Sequence, residues 1–507
     1  MNISEQSAVC AGCSFAIIYC RSTEVWGMKR MRWIVSLMLV FALVLCMGCK
    51  SQDRGAAENG NAAAGTDLGG SENAGSAQEQ ITAEPTAAPD VVSTDAGSTP
   101  AGSADVPADE GLKHIGGKEI IVYFPNWKLG TVNGNVEDIP WEYVTMVNHA
   151  FWEIIPLGEE TETSFERRSE GKEARTEFGI VSSLPEADEE IFAKYKEYHE
   201  LYPDVKIMIS IGGWSRCGFF SEMAYTEEGR NSFVQACIDL IKENEWIAGI
   251  DIDWEYPAGS NDGERWPEDE TDQGCPIFGT ALEDRVNFPE LLKALKEGLD
   301  NEFGAGSKLL TACASSSTGW TLPNQNWEAA AEFLDYINIM TYDMAGDWDN
   351  APGHASSVSG TKNAMAYFMI KGVDKTKLNI GIPYYGTGFR LAEATKSPNG
   401  SKIVVPNGIS KDFLTVSQVK AFEQEAVPVE ETGWHKGYND KVGGAFLWND
   451  DENSEYFCWY ISYECLDAID GKFDLIDHYS LAGVLVWEIT EDTPDHEFTK
   501  YLADMLK

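Results

Sequence analysis

Eight short β-branched runs recur from residue 120 onward, with amphipathic stretches between several of them. The runs are Ile120–Phe124, Met146–Phe151, Lys206–Ile211, Gly249–Glu255, Leu309–Ala312, Tyr336–Thr341, Leu378–Pro383 and Leu481–Trp487. Between them, Glu189–Leu201, Arg230–Asn244, Phe288–Phe303 and Asn326–Leu334 repeat their apolar residues at the period of a helix. Strands that alternate with helices pair in parallel, because each crossover returns the chain to the same end of the sheet. Eight such units predict an α/β fold, a (β/α)8 TIM barrel with its site at the carboxyl ends of the strands. At 507 residues and 43% hydrophobic content, the chain is long enough to bury a core of that size.

The interval between the seventh and eighth runs is far longer than one crossover needs. It holds strand-like runs of its own, Gly443–Trp448 and Tyr456–Ser462. Residues 391–470 are therefore predicted to form a small α+β domain inserted between strands 7 and 8, splitting the barrel into residues 113–390 and 471–507. An insertion at that end would wall one side of a groove.

The region before residue 113 reads differently. Residues 33–49 are an apolar stretch preceded by Lys29, Arg30 and Arg32, the layout of a secretory signal and too short for a membrane span. Its end, Leu45-Cys46-Met47-Gly48-Cys49, resembles a bacterial lipobox, which would make Cys49 a lipidated N-terminus and residues 1–49 an extension plus signal peptide. A start at Met28 or Met31 would give a signal of ordinary length. Residues 50–112 are dominated by Ala, Gly, Ser, Thr, Pro and acids, a composition that cannot offset chain entropy, and are expected to be a disordered tether.

The net charge is −44, and the tether, with 11 acids and 2 bases, contributes little of it. No basic stripe is present to contact phosphates, so nucleic acid is excluded as a partner and a neutral substrate is favoured. Beyond Cys49 lie Cys217, Cys237, Cys275, Cys313, Cys458 and Cys465. Their spacing fits no metal motif, and both paired and single buried thiols are open.

Residues 249–257, Gly-Ile-Asp-Ile-Asp-Trp-Glu-Tyr-Pro, place Asp251, Asp253 and Glu255 at two-residue spacing. On a strand all three carboxylates face one way, while Ile250, Ile252 and Trp254 face the other, toward a helix. Burying an ion costs on the order of several kcal/mol, so such a row persists where it shares protons or serves a ligand. An exposed edge strand is the plain alternative. Against it, Gly249 and Tyr256-Pro257 mark a short strand that ends at a turn.

Four motifs, by their order along the chain and their places at strand ends, resemble glycoside hydrolase family 18, a family of chitinases. They are the acidic strand just described; Ser210, Gly212 and Gly213, followed by Trp214; Met340, Tyr342 and Asp343; and Trp487-Glu488 at the last strand. The resemblance implies a retaining hydrolysis in which the substrate's own acetamido group replaces the second carboxylate. Glu255 would be the general acid, kept protonated near neutral pH by its anionic neighbours. Asp253 would bind the acetamido N–H and stabilise the oxazolinium charge. Asp251 would hold the shared proton and let Asp253 turn, and Tyr342 would donate to the acetamido carbonyl. Ala248 stands where the family usually carries another Asp.

Sugar rings stack on aromatic faces. Trp487 is the expected floor of the subsite beside the scissile bond, with Phe151 and Tyr123 next to it and Trp214, Trp348 and Tyr385 as further candidates. Asp343 and Arg390 are expected to bind sugar hydroxyls or the acetamido region, and Ser210, Gly212, Gly213 and Met340 to line the substrate site. His149 reads as a satisfied core histidine. The expectation is a monomeric extracellular chitinase, touching the membrane only through a lipid anchor and needing no metal or cofactor. An endo-β-N-acetylglucosaminidase or peptidoglycan-processing relative would use the same acids. A chitin-binding lectin on this barrel would typically lack the acid that Glu255 supplies.

Overall fold

The computed structural model describes residues 117–158, 173–259, 274–346, 348–349, 351–393, 412–415 (backbone only) and 432–506. The signal-like stretch, Cys49 and the tether lie outside the described residues.

In chain order the strands are β1 (Glu119–Pro125), β2 (Met146–Pro156), β3 (Phe178–Ser182), β4 (Lys206–Gly212), β5 (Ile247–Asp253), β6 (Leu309–Ser315), β7 (Tyr336–Met340), β8 (Leu378–Pro383), β9 (Tyr385–Arg390), β10 (Asp412–Thr415), β11 (Trp434–Tyr438), β12 (Ala445–Asn449), β13 (Trp459–Tyr463) and β14 (Gly483–Trp487). Eight of them pair in parallel in the order β1-β14-β8-β7-β6-β5-β4-β2, and β1 also pairs with β2, which closes the barrel. All eight expected runs are barrel strands. One strand of this sheet was not foreseen: β3 pairs antiparallel with the far end of β2.

The two faces of the barrel strands bury different surfaces. The outward residues pack against the helices in one large apolar core that includes Ile250, Ile252 and Trp254. Trp254 stacks on Phe220, ring centroids 5.3 Å apart, and meets Phe288 edge-on at 6.0 Å. These rings belong to helices Phe220–Tyr225 and Ala281–Phe303. The inward residues form a second cluster with Tyr123, Phe151, Met208, Cys313, Met340, Tyr342 and Tyr385. Helices start where a side chain satisfies a free backbone N–H: Thr226 caps Glu227–Glu243, Thr280 caps Ala281–Phe303 and Ser357 caps Val358–Ile370. The expected helix Asn326–Leu334 is reduced to Trp327–Ala330.

A second, antiparallel sheet of order β10-β9-β13-β12-β11 lies wholly between β8 and β14. Its strand β9, between β10 and β13, starts at Tyr385, six residues before the boundary read from sequence. The helix Leu466–Tyr479 buries Ile469, Phe473 and Ile476 in the barrel core, so the sequence boundary at residue 470 cuts through a barrel helix. Residues 394–411 and 416–431 of the insertion lie outside the described residues. The six cysteines beyond the tether are free thiols. Among the described residues no helix is long and apolar enough to cross a membrane.

Candidate active site

The acidic row rises along β5 from the barrel floor to its mouth. Asp251 is fully buried, Asp253 is 3% exposed, and Glu255, two residues past the strand end, is 8% exposed. Four neutral O–H and N–H donors from four other strands converge on Asp251, with the Cys313 thiol at a longer 3.9 Å. Thr311 (2.5 Å) and Asn338 (3.3 Å) reach Oδ1, while Ser210 (2.7 Å) and Tyr123 (2.9 Å) reach Oδ2. Burial pushes the Asp251 carboxyl up, and these four donors pull against that rise.

Asp253 is held differently. Burial, then the neighbouring charges of Glu255 and Asp251, drive its carboxyl well above the usual range, and its Oδ1 has no hydrogen-bond partner. Tyr342 comes from beyond the end of β7, with its ring over Gly381, where a Cβ would stand 2.7 Å from it. Burial raises its hydroxyl well above the ordinary tyrosine value, with Cys313, Asp253 and Glu255 adding to the effect. Tyr342 therefore stays a neutral donor beside the acids.

The aromatic surface lies at the same end. Phe151 stacks on Trp487 at 5.7 Å with planes 16° apart, and Tyr123 meets Trp487 at 5.7 Å. Trp127, on the turn after β1, approaches Phe151 at 6.0 Å and Trp487 at 6.3 Å. Among the described residues the exposed tryptophans are Trp127, Trp214, Trp320 and Trp348, between 46% and 54% exposed. Each follows the carboxyl end of a barrel strand: β1, β4, β6 and β7 respectively.

This is a barrel whose mouth combines stacked rings with graded carboxylates, the equipment for gripping and protonating a glycoside. The sequence profile of Glycosyl hydrolases family 18 matches residues 119–492. The chain belongs to that family. Relatives of this chain carry chitinase names, and the chain spans about half to 60% of the length of the first of them. It is 26% identical to Chitinase A1 of Niallia circulans over 429 residues, 76% of this chain but only 58% of that one. Chitinase 1 of Aphanocladium album is 25% identical over 72% of this chain and 80% of its own length. The crystal structure of Ostrinia furnacalis Group IV chitinase shares the fold, with a TM-score of 0.60 at 22% identity, covering 77% of this chain and 99% of that one.

Several residues expected to touch substrate do other work in this family 18 site. Ser210 is fully buried and spends its hydroxyl on Asp251. Gly213 N–H donates to the Asp253 carbonyl at 2.8 Å, and a Cβ on Gly213 would stand 2.5 Å from the Phe151 ring. Gly212 likewise lies against the Asp253 carbonyl. The Ser-x-Gly-Gly motif therefore braces β5. Tyr123 is 1% exposed, and its hydroxyl serves Asp251. Met340 is buried in the inner cluster.

Asp343 accepts from the Tyr385 hydroxyl at 2.9 Å, which ties the loop after β7 to β9. Arg390 ends β9 as an exposed residue of the second sheet, beside Cys458. His149 is buried and paired with Asp188 at 2.9 Å, as a core histidine should be. At Ala248 the pairing of β4 with β5 slips between Ile207 and Met208, and Ala248 packs against the inner cluster.

Sequence reasoning missed Thr311, Cys313, Asn338 and Trp127. Thr311 and Cys313 alternate on β6 as the acids do on β5, and that phase was the available signal. Among the described residues no three His, Cys, Asp or Glu side chains are grouped to hold a metal.

Proposed function

We propose that this family 18 hydrolase is a chitinase, cleaving β-1,4 links between N-acetylglucosamine units with retention. The observation that carries the reading is the contrast between two neighbouring carboxylates. Asp251 is saturated by four donors, whereas Asp253 keeps a buried oxygen without one, between Asp251 and the acid Glu255. A buried acceptor without a donor is costly, and an amide N–H from the substrate would satisfy it.

In the proposed sequence Glu255 protonates the leaving oxygen, and Tyr342 orients the acetamido carbonyl for attack on the anomeric carbon. Asp253 accepts the acetamido N–H and stabilises the cation that forms, and Glu255 then activates the water that opens it. The exposed tryptophans support a long polymer lying across the mouth. The apolar stretch 33–49 with Cys49, followed by the tether 50–112, supports export and attachment to the outer face of a bacterial membrane.

The test is hydrolysis of N-acetylchitooligosaccharides and of their deacetylated counterparts by the wild type and by Glu255→Gln. We expect cleavage of the acetylated series only, first product as the β anomer, and near-complete loss in the variant. Equal rates on both series would sink the substrate-assisted mechanism. Release of glycans from high-mannose glycoproteins, with chitooligosaccharides untouched, would favour the endo-β-N-acetylglucosaminidase reading.

A further inference from the structure

A free thiol stands inside the acid row and has no part in the chemistry so far. Cys313 lies inward on β6 and is 4% exposed, its Sγ 2.9 Å from the Tyr123 hydroxyl oxygen and 3.9 Å from Asp251 Oδ2. The single proton of Tyr123 is committed to Asp251 Oδ2, and Asn338 donates to Tyr123 from its other side. The S–H is therefore the proton left for the 2.9 Å contact, and donating to the phenol oxygen is the shorter of its two lines, the other running 3.9 Å to Asp251 Oδ2. Burial, and then the charges of Asp251 and Asp253, push the thiol well above its ordinary value, so it remains a donor across the working range.

The same thiol lies near enough to the Asp253 carboxyl to favour its charged form, and Asp253 keeps a buried Oδ1 without a partner. The titratable groups facing it are Tyr123 from β1, Asp251 and Asp253 from β5, Glu255 past its end, and Tyr342 after β7.

We propose that Cys313 is a positioning residue whose S–H swings from Tyr123 to Asp253, so that Asp253 keeps a donor while its carboxylate turns from Asp251 toward the substrate. No proton changes owner in this step; one hydrogen bond is exchanged for another by rotation about a single side-chain bond. The proposal rests on the substrate-assisted reading above, which gives Asp253 a reason to turn.

The test compares Cys313→Ala, Cys313→Ser and wild type in the full chain. One readout does not need activity: carboxyl-labelled aspartate is followed by carbon NMR against pH, with Asp253 assigned from Asp253→Asn. A donor favours the charged carboxylate, so Asp253 should titrate at higher pH in C313A and return to the wild-type position or below in C313S. In steady-state kinetics on a chitooligosaccharide, C313A should lose roughly three- to tenfold in kcat with KM little changed, and C313S should recover it. Should alanine unfold the barrel, Cys313→Val keeps the bulk without the donor and takes its place. Identical Asp253 titration in wild type and C313A overturns the proposal, as does a C313S that behaves like C313A. A wild type that leaves chitooligosaccharides intact sinks the functional reading instead, and the titration still decides Cys313.

Discussion

The α-carbon of Gly212 lies so close to Asp253 that a Cβ on it would stand 2.1 Å from the Asp253 carbonyl oxygen. Gly212 also has φ +114°, a region other residues rarely adopt. Gly212→Ala must therefore move β4 or β5 at the level of the acids. We expect a loss of about 3 kcal/mol or more in urea denaturation and a larger proportional fall in kcat. A variant with wild-type stability and rate would mean that the two strands are not held in this register.

Tyr123→Phe removes a donor to Asp251 and keeps the ring that packs on Trp487. A hydrogen bond to a charged group contributes about 1.5–3 kcal/mol. We expect kcat to fall roughly tenfold or more, with KM and the circular dichroism spectrum close to wild type. A rise in KM alone would assign Tyr123 to substrate contact after all.

Trp127 is 46% exposed, so its truncation removes little buried surface. Trp127→Ala should raise KM for a long oligosaccharide several-fold while kcat and melting temperature stay near wild type. Trp254→Ala, which removes a ring buried against Phe220 and Phe288, should instead unfold the barrel or cost about 3–5 kcal/mol. If both variants lose stability alike, the exposed rings serve packing and not binding.

Asp284 supplies the pH dependence. It is 1% exposed, accepting from Ser221 Oγ at 2.6 Å and from the Ala258 N–H at 3.2 Å, just past the acidic strand. Burial raises its carboxyl from 3.8 to about 8. A folded-state value above the unfolded one means the protonated fold is favoured. The contribution is full below about pH 3.8 and is lost as pH rises through about 8, on the order of a few kcal/mol across that window. Asp284→Asn mimics the protonated acid, so chemical denaturation at pH 5 and pH 9 should show a smaller difference for it than for wild type. An unchanged difference would place the dependence elsewhere.

What was legible from sequence follows from what alternation can encode. Strand–helix alternation marks every barrel strand because each buries both faces, and the spacing of Asp251, Asp253 and Glu255 marks their common side because charge is conspicuous there. Thr311, Asn338 and Cys313 occupy the same interior without charge, so their pattern matches that of any filled barrel. Ser210, Gly212 and Gly213 were read as contacts to substrate, yet their chemistry is turned inward: a one-residue change of facing, or a glycine that yields space to a neighbour, leaves no trace in composition. The early start of β9 was hidden because Tyr384 and Tyr385 continue the apolar run of β8.

A single residue, Tyr384, separates β8 from β9. It is fully buried, its N–H donates to the Trp487 carbonyl at 2.9 Å, and its hydroxyl pairs with Thr499 at 3.0 Å. At this junction β9 is thus a stiff continuation of a barrel strand, pinned through both the backbone and the hydroxyl of one residue. On the function proposed above, any bending that brings a bound sugar toward its reactive shape would fall on the sugar at this junction, because Tyr384 holds the two strands as one piece.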